Sequence, residues 1–330
     1  GSDSRRRGTL DIGGGIGESA GFRLNAMVED SESYRDGFEL RRYGINPTFG
    51  VDLGANTRLH LSYERFDDER VADRGVPSLN GRPLDVDPST FFGDPGRSPV
   101  TATVDAFDAL LTHAFANGVQ LRNHLRWADY DKFYQNVFPG AADAATQTVA
   151  ISAYNQGTQR RNLFNQTDLT WEAMTGGVQH SLLAGVELGR QVTDNLRQTG
   201  YFGASGSTTT SVRVPLSDPI TNSPIEFRQS ATDADNHGVA EVAALYLQDQ
   251  IRFGGFMLTL TGRHDWARSD NLSWGSYPPY GYYRSRDEAN TGRVGLSYLF
   301  DFGLSVYANY STSFNPVSGA DKNGSPFKPT

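Results

Sequence analysis

Aromatic and arginine side chains, gathered in polar stretches between regular segments, are the residues of this chain best equipped for chemistry. Phe91-Phe92, Phe133-Tyr134 with Tyr154, Tyr201-Phe202 and Tyr282-Tyr283 place rings where water is expected, and Arg74, Arg160, Arg161 and Arg284 lie near them in sequence. Exposed aromatics in such numbers need a reason. Ring faces interleaved with guanidinium groups suit a planar, anionic, aromatic ligand, held by stacking, cation–π contacts and charge-assisted hydrogen bonds. The competing reading is that these rings close over one another and stiffen the loops that carry them.

Other chemistries find no residues to carry them. There is no His-Glu-x-x-His, no Walker loop and no Gly-x-Ser-x-Gly. Gly13-Gly14-Gly15-Ile16-Gly17 is glycine-rich but opens no helix pattern, so it reads as a strand end and turn. The 6 histidines are scattered without metal-ligand spacing. Asp233-Ala234-Asp235-Asn236 lacks the glycine and terminal glutamate of a calcium loop. No carboxylate pair stands out as an acid–base couple. The expectation is a protein that is not an enzyme, has no catalytic residue and no metal ligand, and carries no covalently bound cofactor. With a net charge of −8, the chain does not present the clustered Lys and Arg of a nucleic-acid partner. With no cysteine it has no disulfide.

The elements that would position the aromatic stretches are long, alternating strands. In Val239-Ala240-Glu241-Val242-Ala243-Ala244-Leu245-Tyr246-Leu247, the residues Ala243, Leu245 and Leu247 share a face opposite Tyr246. After Gly254-Gly255, Phe256, Leu258, Leu260 and Trp266 share a face opposite Thr259, Thr261, Arg263 and Asp265. Period-two alternation marks a strand with one wet and one apolar side, and a Gly-Gly step supplies a tight hairpin turn. The pattern recurs about six times, predicting strand pairs at 6–14 and 22–30, 43–53 and 58–66, 104–115 and 119–130, 160–172 and 178–191, 239–253 and 256–269, and 288–300 and 304–314. Between them the reading places loops at 31–42, 67–103, 131–159, 192–238 and 270–287, in strict alternation with short turns. No apolar run reaches the roughly 18 residues of a transmembrane helix, whereas about 9–11 residues suffice for a tilted transmembrane strand. Strand-end aromatics such as Trp127, Trp171, Trp266 and Tyr298 fit interfacial girdles. The predicted class is all-β: an antiparallel, up-and-down transmembrane β-barrel. A sandwich would have shorter strands, and an outer-membrane enzyme would need a Ser–His or Asp–His constellation that is missing.

Particular runs add a resemblance. Arg70 to Ser78, Gly81-Arg82-Pro83, Thr90-Phe91-Phe92-Gly93-Asp94, Arg160 to Leu169 and Phe227-Arg228-Gln229-Ser230 resemble TonB-dependent siderophore receptors, as do Phe22 to Met27 and Tyr246 to Gln250. The ferric-catecholate branch is the nearest in character, with ferrichrome-type receptors next. The resemblance implies a plugged barrel of about 22 strands in outer-membrane lipid of a Gram-negative bacterium. It further implies a monomer that binds a ferric siderophore at its outer face and is driven by the TonB complex through an N-terminal plug. A ferric catecholate is planar at its rim, anionic and aromatic, which matches the loop composition. On this reading residues 1–330 form one partial barrel domain of about twelve strands, an open half-barrel with the plug and the C-terminal strands outside it. The expected ligand contacts are Arg74, Phe91, Phe92, Phe133, Tyr134, Tyr154, Arg160, Arg161, Tyr201, Phe202, Tyr282, Tyr283 and Arg284. The alternatives are a hydroxamate-type receptor and a passive porin-like channel.

Overall fold

The computed structural model describes residues 3–274 and 281–315. Readings that concern the two chain ends and the aromatic run at 275–280 lie outside the described residues. Within them, twelve strands follow one another through a single antiparallel sheet: β1 (Arg6–Ile16), β2 (Ala20–Glu32), β3 (Glu39–Asp52), β4 (Thr57–Val71), then β7 (Pro99–Ala114), β8 (Gln120–Asp143), β9 (Thr148–Thr175), β10 (Val178–Phe202), then β13 (Asp235–Phe253), β14 (Phe256–Ser273), β15 (Gly281–Leu299) and β16 (Ser305–Ser311). Each pairs with its predecessor, as an up-and-down barrel wall requires. Two short strands join the same sheet off this path, β11 (Ser211–Pro215) on β9 and β12 (Ile225–Arg228) on β10. A separate small hairpin, β5 (Ser78–Leu79) with β6 (Arg82–Pro83), and one 3-10 turn at Pro95–Arg97 lie between β4 and β7. No helix among the described residues is long and apolar enough to cross a membrane.

Alternation gives the sheet two chemically different sides. Leu10, Ile12, Phe49, Trp127, Leu188, Leu245, Leu247 and Val294 are exposed on one of them. The other carries hydrogen-bonded polar groups: Gln166 Nε2 donates to the Tyr246 hydroxyl at 2.9 Å, and Arg263 bridges Glu187 at 3.1 Å and Asp265 at 2.7 Å. Large apolar groups left open in a single row, backed by a polar opposite side, are what a lipid-facing barrel wall requires. The turn between β13 and β14 is the Gly-Gly step itself, with Gly254 at φ +56°, a left-handed conformation that glycine adopts without a Cβ penalty.

Three predicted loops prove to be largely strand. Residues 131–159 are not a loop: β8 and β9 run on for 24 and 28 residues and meet through 144–147, with one register irregularity between Pro139 and Ala142. Strict alternation of short and long connections therefore fails at this end of the sheet. The span 192–238 shrinks to 203–234 because β10 continues to Phe202 and β13 begins at Asp235. Tyr282, Tyr283 and Arg284 lie on β15 and not in a loop. The physical reason is common to all three. Strand pairing is satisfied by backbone groups, and it continues past the bilayer once alternate apolar residues stop needing to face lipid.

Beyond the bilayer that former lipid side needs another cover. Val137, Val149, Ile151, Ala153 and Phe202 continue it by alternation, and there they are buried together with Phe92. Segments of the two long connections, through Val76, Leu84 and Val86 on one and Val212, Val214, Ile225 and Phe227 on the other, pack against this cluster. Each large side chain so buried stabilises by about 1.5–3 kcal/mol relative to exposure. The connections also close the free edge that β8 presents past its last partner on β7. Asp94 N donates to Val137 O at 3.4 Å, Val137 N to Ser98 Oγ at 3.0 Å, and Gln135 Nε2 to Arg97 O at 3.0 Å. Gly93 passes so near that a Cβ there would lie 1.8 Å from Val137 O, and its φ is +122°. Arg97 ties the two connections to each other by donating to Thr221 O at 2.9 Å and Ser223 O at 2.7 Å.

Candidate functional site

On the polar side of the same strand extensions, alternation sets Tyr134, Asn136 and Phe138 in one row along β8. Asn136 stands opposite Tyr154 of β9, and Tyr154 opposite Thr199 of β10, two residues beyond Arg197. Arg74 enters from the connection after β4. Its Nη2 donates to the Tyr154 hydroxyl at 2.9 Å and its Nε to Asn136 Oδ1 at 3.3 Å, and its guanidinium lies 5.0 Å from the Phe138 ring centre. Arg197 covers a face of Tyr154 at 4.0 Å. Tyr134 and Phe138 flank the Tyr154 ring at 5.8 and 5.7 Å, the second edge-on. One tyrosine thus sits between two cations and two further rings.

The electrostatics of the cluster come from its cover and from one carboxylate, Asp233, beside Arg197. Burial pushes the Tyr134 hydroxyl up from its ordinary value, and the nearby Arg74 charge only partly offsets this. Asp233 is buried, which by itself would raise its carboxyl. Hydrogen bonds from Ser230 N at 2.8 Å, Thr199 N at 2.9 Å and Thr199 Oγ1 at 2.8 Å outweigh burial and hold it below the usual carboxylate range. Asp233 in turn takes Arg197 Nε at 3.1 Å. Arg197 is thereby oriented through Nε, while its two terminal nitrogens have no hydrogen-bond acceptor among the described residues. No group of three or more His, Asp or Glu side chains that could hold a metal ion occurs among the described residues.

The other residues expected at the site are distributed elsewhere. Phe91, Phe92 and Phe202, expected at the outer surface, are buried at 3 %, 2 % and 2 % exposure. Phe92 and Phe202 fill the apolar cover, because aromatic residues near a strand edge are drawn into whatever dry volume the fold offers. Phe133 and Arg161 fall, by alternation, on the side opposite Tyr134 and Tyr154. Arg160 is on the polar side and donates to Thr193 Oγ1 at 3.1 Å. Tyr201 lies under Arg228, with the guanidinium 3.7 Å from its ring, and Arg228 is engaged by Glu226 at 2.9 Å. Tyr282 and Arg284 occupy the apolar side of β15, where both bond to Asp270, and Tyr283 alternates to the other side. Asn136, Phe138, Arg197 and Asp233 are part of the cluster that sequence reasoning missed; only the i, i+2, i+4 spacing of Tyr134, Asn136 and Phe138 could have signalled it. A hollow of about 710 Å³ lies lower on the polar side, lined by Phe164, Gln191, Thr193, Arg263 and Asp265. It belongs to the wall and not to the aromatic cluster.

This architecture has known counterparts. A family described as TonB dependent receptor-like, beta-barrel, matches residues 29–330. The chain belongs to that family, whose members are β-barrel proteins of the Gram-negative outer membrane. It is 28 % identical over 338 residues to the metal-pseudopaline receptor CntO of Pseudomonas aeruginosa, covering 100 % of this chain and 46 % of that protein. It is 27 % identical over 342 residues to the ferrichrome outer membrane transporter/phage receptor of Escherichia coli K12, covering 94 % and 44 %. With the catecholate siderophore receptor Fiu of the same organism the identity is 25 % over 360 residues, covering 95 % and 46 %. The fold superposes on the siderophore receptor PiuA from Acinetobacter baumannii with a TM-score of 0.85 at 19 % identity, over 98 % of this chain and 50 % of that one. On the closed form of the ferric-catecholate import receptor Fiu from E. coli K12 the TM-score is 0.82 at 23 % identity, over 99 % and 52 %. At these identities the structural likeness concerns the fold alone. The chain spans about half the length of the curated relatives it matches.

Proposed function

We propose that this chain supplies wall and extracellular crown to an outer-membrane receptor that takes up a ferric siderophore, and that the siderophore is of the catecholate type. The observation that carries the reading is Tyr154 held between Arg74 and Arg197 with Tyr134 and Phe138 beside it. A ferric catecholate presents negative charge and flat aromatic edges together. The two guanidinium groups meet the charge, and Tyr134 and Phe138 offer ring surface for the edges. A hydroxamate complex has the metal but neither the rings nor as much negative charge, so the cluster offers it less. The chemistry asked of the protein is recognition without bond making. Iron is cargo, and no residue need act as acid, base or nucleophile.

Transport is an activity of the complete receptor. In this proposal TonB acts on a plug region N-terminal to the barrel, the wall here lines the path the plug vacates, and the receptor works as a monomer. A passive porin-like channel would need no aromatic–cation cluster over its mouth. The test is equilibrium binding to the complete receptor of a ferric tris-catecholate against a ferric tris-hydroxamate, with uptake measured with and without TonB. Tighter binding of the catecholate and TonB-dependent uptake are expected. Equal or reversed affinities would overturn the catecholate assignment, and TonB-independent uptake would return the protein to the channel reading.

A further inference from the structure

Arg35 sits in the turn 33–38 between β2 and β3, three strands away from β8 along the sheet. It nevertheless touches the connection that carries Arg74. Its side chain is only 6 % exposed. Arg35 Nε donates to Asp73 Oδ2 at 3.0 Å, and Nη1 donates to Thr90 O at 2.9 Å and to Pro88 O. The connection therefore doubles back so that its beginning and its far limb meet on one guanidinium. Asp36 N adds a bond to Ser89 O at 2.8 Å, and Ser89 Oγ one to Asp36 Oδ2 at 3.2 Å. Asp73 uses its second oxygen locally: Oδ1 accepts from Gly75 N at 2.8 Å and so spans Arg74.

We propose that Arg35 is a positioning residue for ligand recognition: through Asp73 it fixes the backbone on both sides of Arg74 and delivers that guanidinium to Tyr154 and Asn136. The inference rests on the reading of the Arg74–Tyr154–Arg197 cluster as the ligand site. Its physical basis is a buried cation with a fixed set of acceptors. The Arg35 side chain is 6 % exposed and that of Asp73 22 %, so the guanidinium depends on Asp73 and the two carbonyls for its compensation, and meeting all three holds the connection in one arrangement. Arginine sets Nε on the carboxylate and Nη1 on the two carbonyls, whereas lysine has a single nitrogen for all three. A residue that merely stiffened the loop would act on binding independently of Arg74. A residue that acts through Arg74 cannot matter once Arg74 is gone.

The experiment is a double-mutant cycle on the complete receptor, with a ferric tris-catecholate as the probe and equilibrium affinity as the readout. Barrel assembly is followed by heat-modifiable electrophoretic mobility. Arg74→Ala and Arg35→Gln are each expected to weaken binding about tenfold, which corresponds to about 1.4 kcal/mol. The double variant is expected to bind as Arg74→Ala does, because two residues in one chain of contacts are not additive. Additive losses, or full affinity in Arg35→Gln, would overturn the proposal while leaving the cluster as a ligand site. Full affinity in Arg74→Ala would instead overturn the reading of the cluster itself. If Arg35→Gln does not assemble, Asp73→Ala, which removes the same contact from its more exposed side, is carried through the same cycle and judged by the same two outcomes.

Discussion

Of the tyrosine–arginine groups beyond the bilayer on this sheet, those at Tyr282 and Tyr154 are interchangeable from composition. On β15, Tyr282 and Arg284 are two residues apart on one strand and lie on the apolar side. Asp270, directly opposite Arg284 on β14, accepts from both of them and also pairs with Arg268 at 2.6 Å. Arg284 first, then Tyr282, holds the Asp270 carboxyl at about 2. The group is closed on itself. At the second place Tyr154, Arg74 and Arg197 come from three separate segments, face the polar side, and include two cations for one carboxylate, Asp233, which bonds to Arg197 at 3.1 Å. A cation already matched by an adjacent carboxylate has little left for a ligand, whereas of the two cations converging on Tyr154 only Arg197 is matched, and Arg74 meets no carboxylate among the described residues. The difference is one of strand phase and of what the neighbouring connection brings, not of residue type.

Gly93 is the position where a single substitution should disturb the crown most. In Gly93→Ala the new Cβ would meet the Val137 carbonyl in a left-handed backbone conformation, so a cost of about 3 kcal/mol or more is expected from strain and the loss of edge bonds. Limited proteolysis should then cut within 72–98, and catecholate binding should fall with it, while the barrel's heat-modifiable mobility persists. Protection equal to the parent protein would show that the connection is seated otherwise.

The next largest effect is on ligand. Arg74→Ala combined with Tyr154→Ala should weaken ferric tris-catecholate binding about 100-fold, or about 2.8 kcal/mol, whereas Tyr282→Ala with Arg284→Ala should stay within about twofold. Reversal of that order, measured by equilibrium titration of the complete receptor, would move the site to β15.

A smaller effect is expected from pH. The Asp233 carboxyl is lower in the folded crown than in an unfolded chain, so its contribution is fully present above the ordinary carboxylate value and is lost as pH falls through the depressed one. Protease protection of 203–234 should therefore be flat from about pH 8 to about pH 5 and weaken only below about pH 4. A loss of protection near neutrality would point to another group. The smallest effect concerns Asp270, whose carboxyl is also lowered. By the same sign its pairing persists throughout that range, and Asp270→Asn should leave ligand affinity unchanged, as titration of the variant would check.

The twelve-strand wall was legible because its determinants are local. A lipid-facing strand must place an apolar residue at every second position, and Gly254-Gly255 or Gly176-Gly177 can only turn. Leu245 and Leu247 against Tyr246, or Leu188 and Val186 against Glu187, declare both element and side without a partner in view. The strand ends were not legible. Past the bilayer the apolar row of β8 and β9 changes cover from lipid to protein, so Val137, Val149 and Ile151 no longer advertise a membrane wall, and the pairing of 131–143 with 148–159 looked like a loop.

Sequence alone therefore determined the all-β class, the alternation and most of the turns, together with the presence of aromatic–arginine chemistry outside the wall. It placed Arg74, Tyr134 and Tyr154 among the candidates but could not separate them from Phe91, Phe92 and Phe202. Tertiary structure decided which of these rings are buried, because that depends on which long connection folds over them. It also decided the partners of Arg74, since Asn136, Phe138 and Tyr154 lie more than sixty positions away in sequence and meet it only after β8 and β9 have paired.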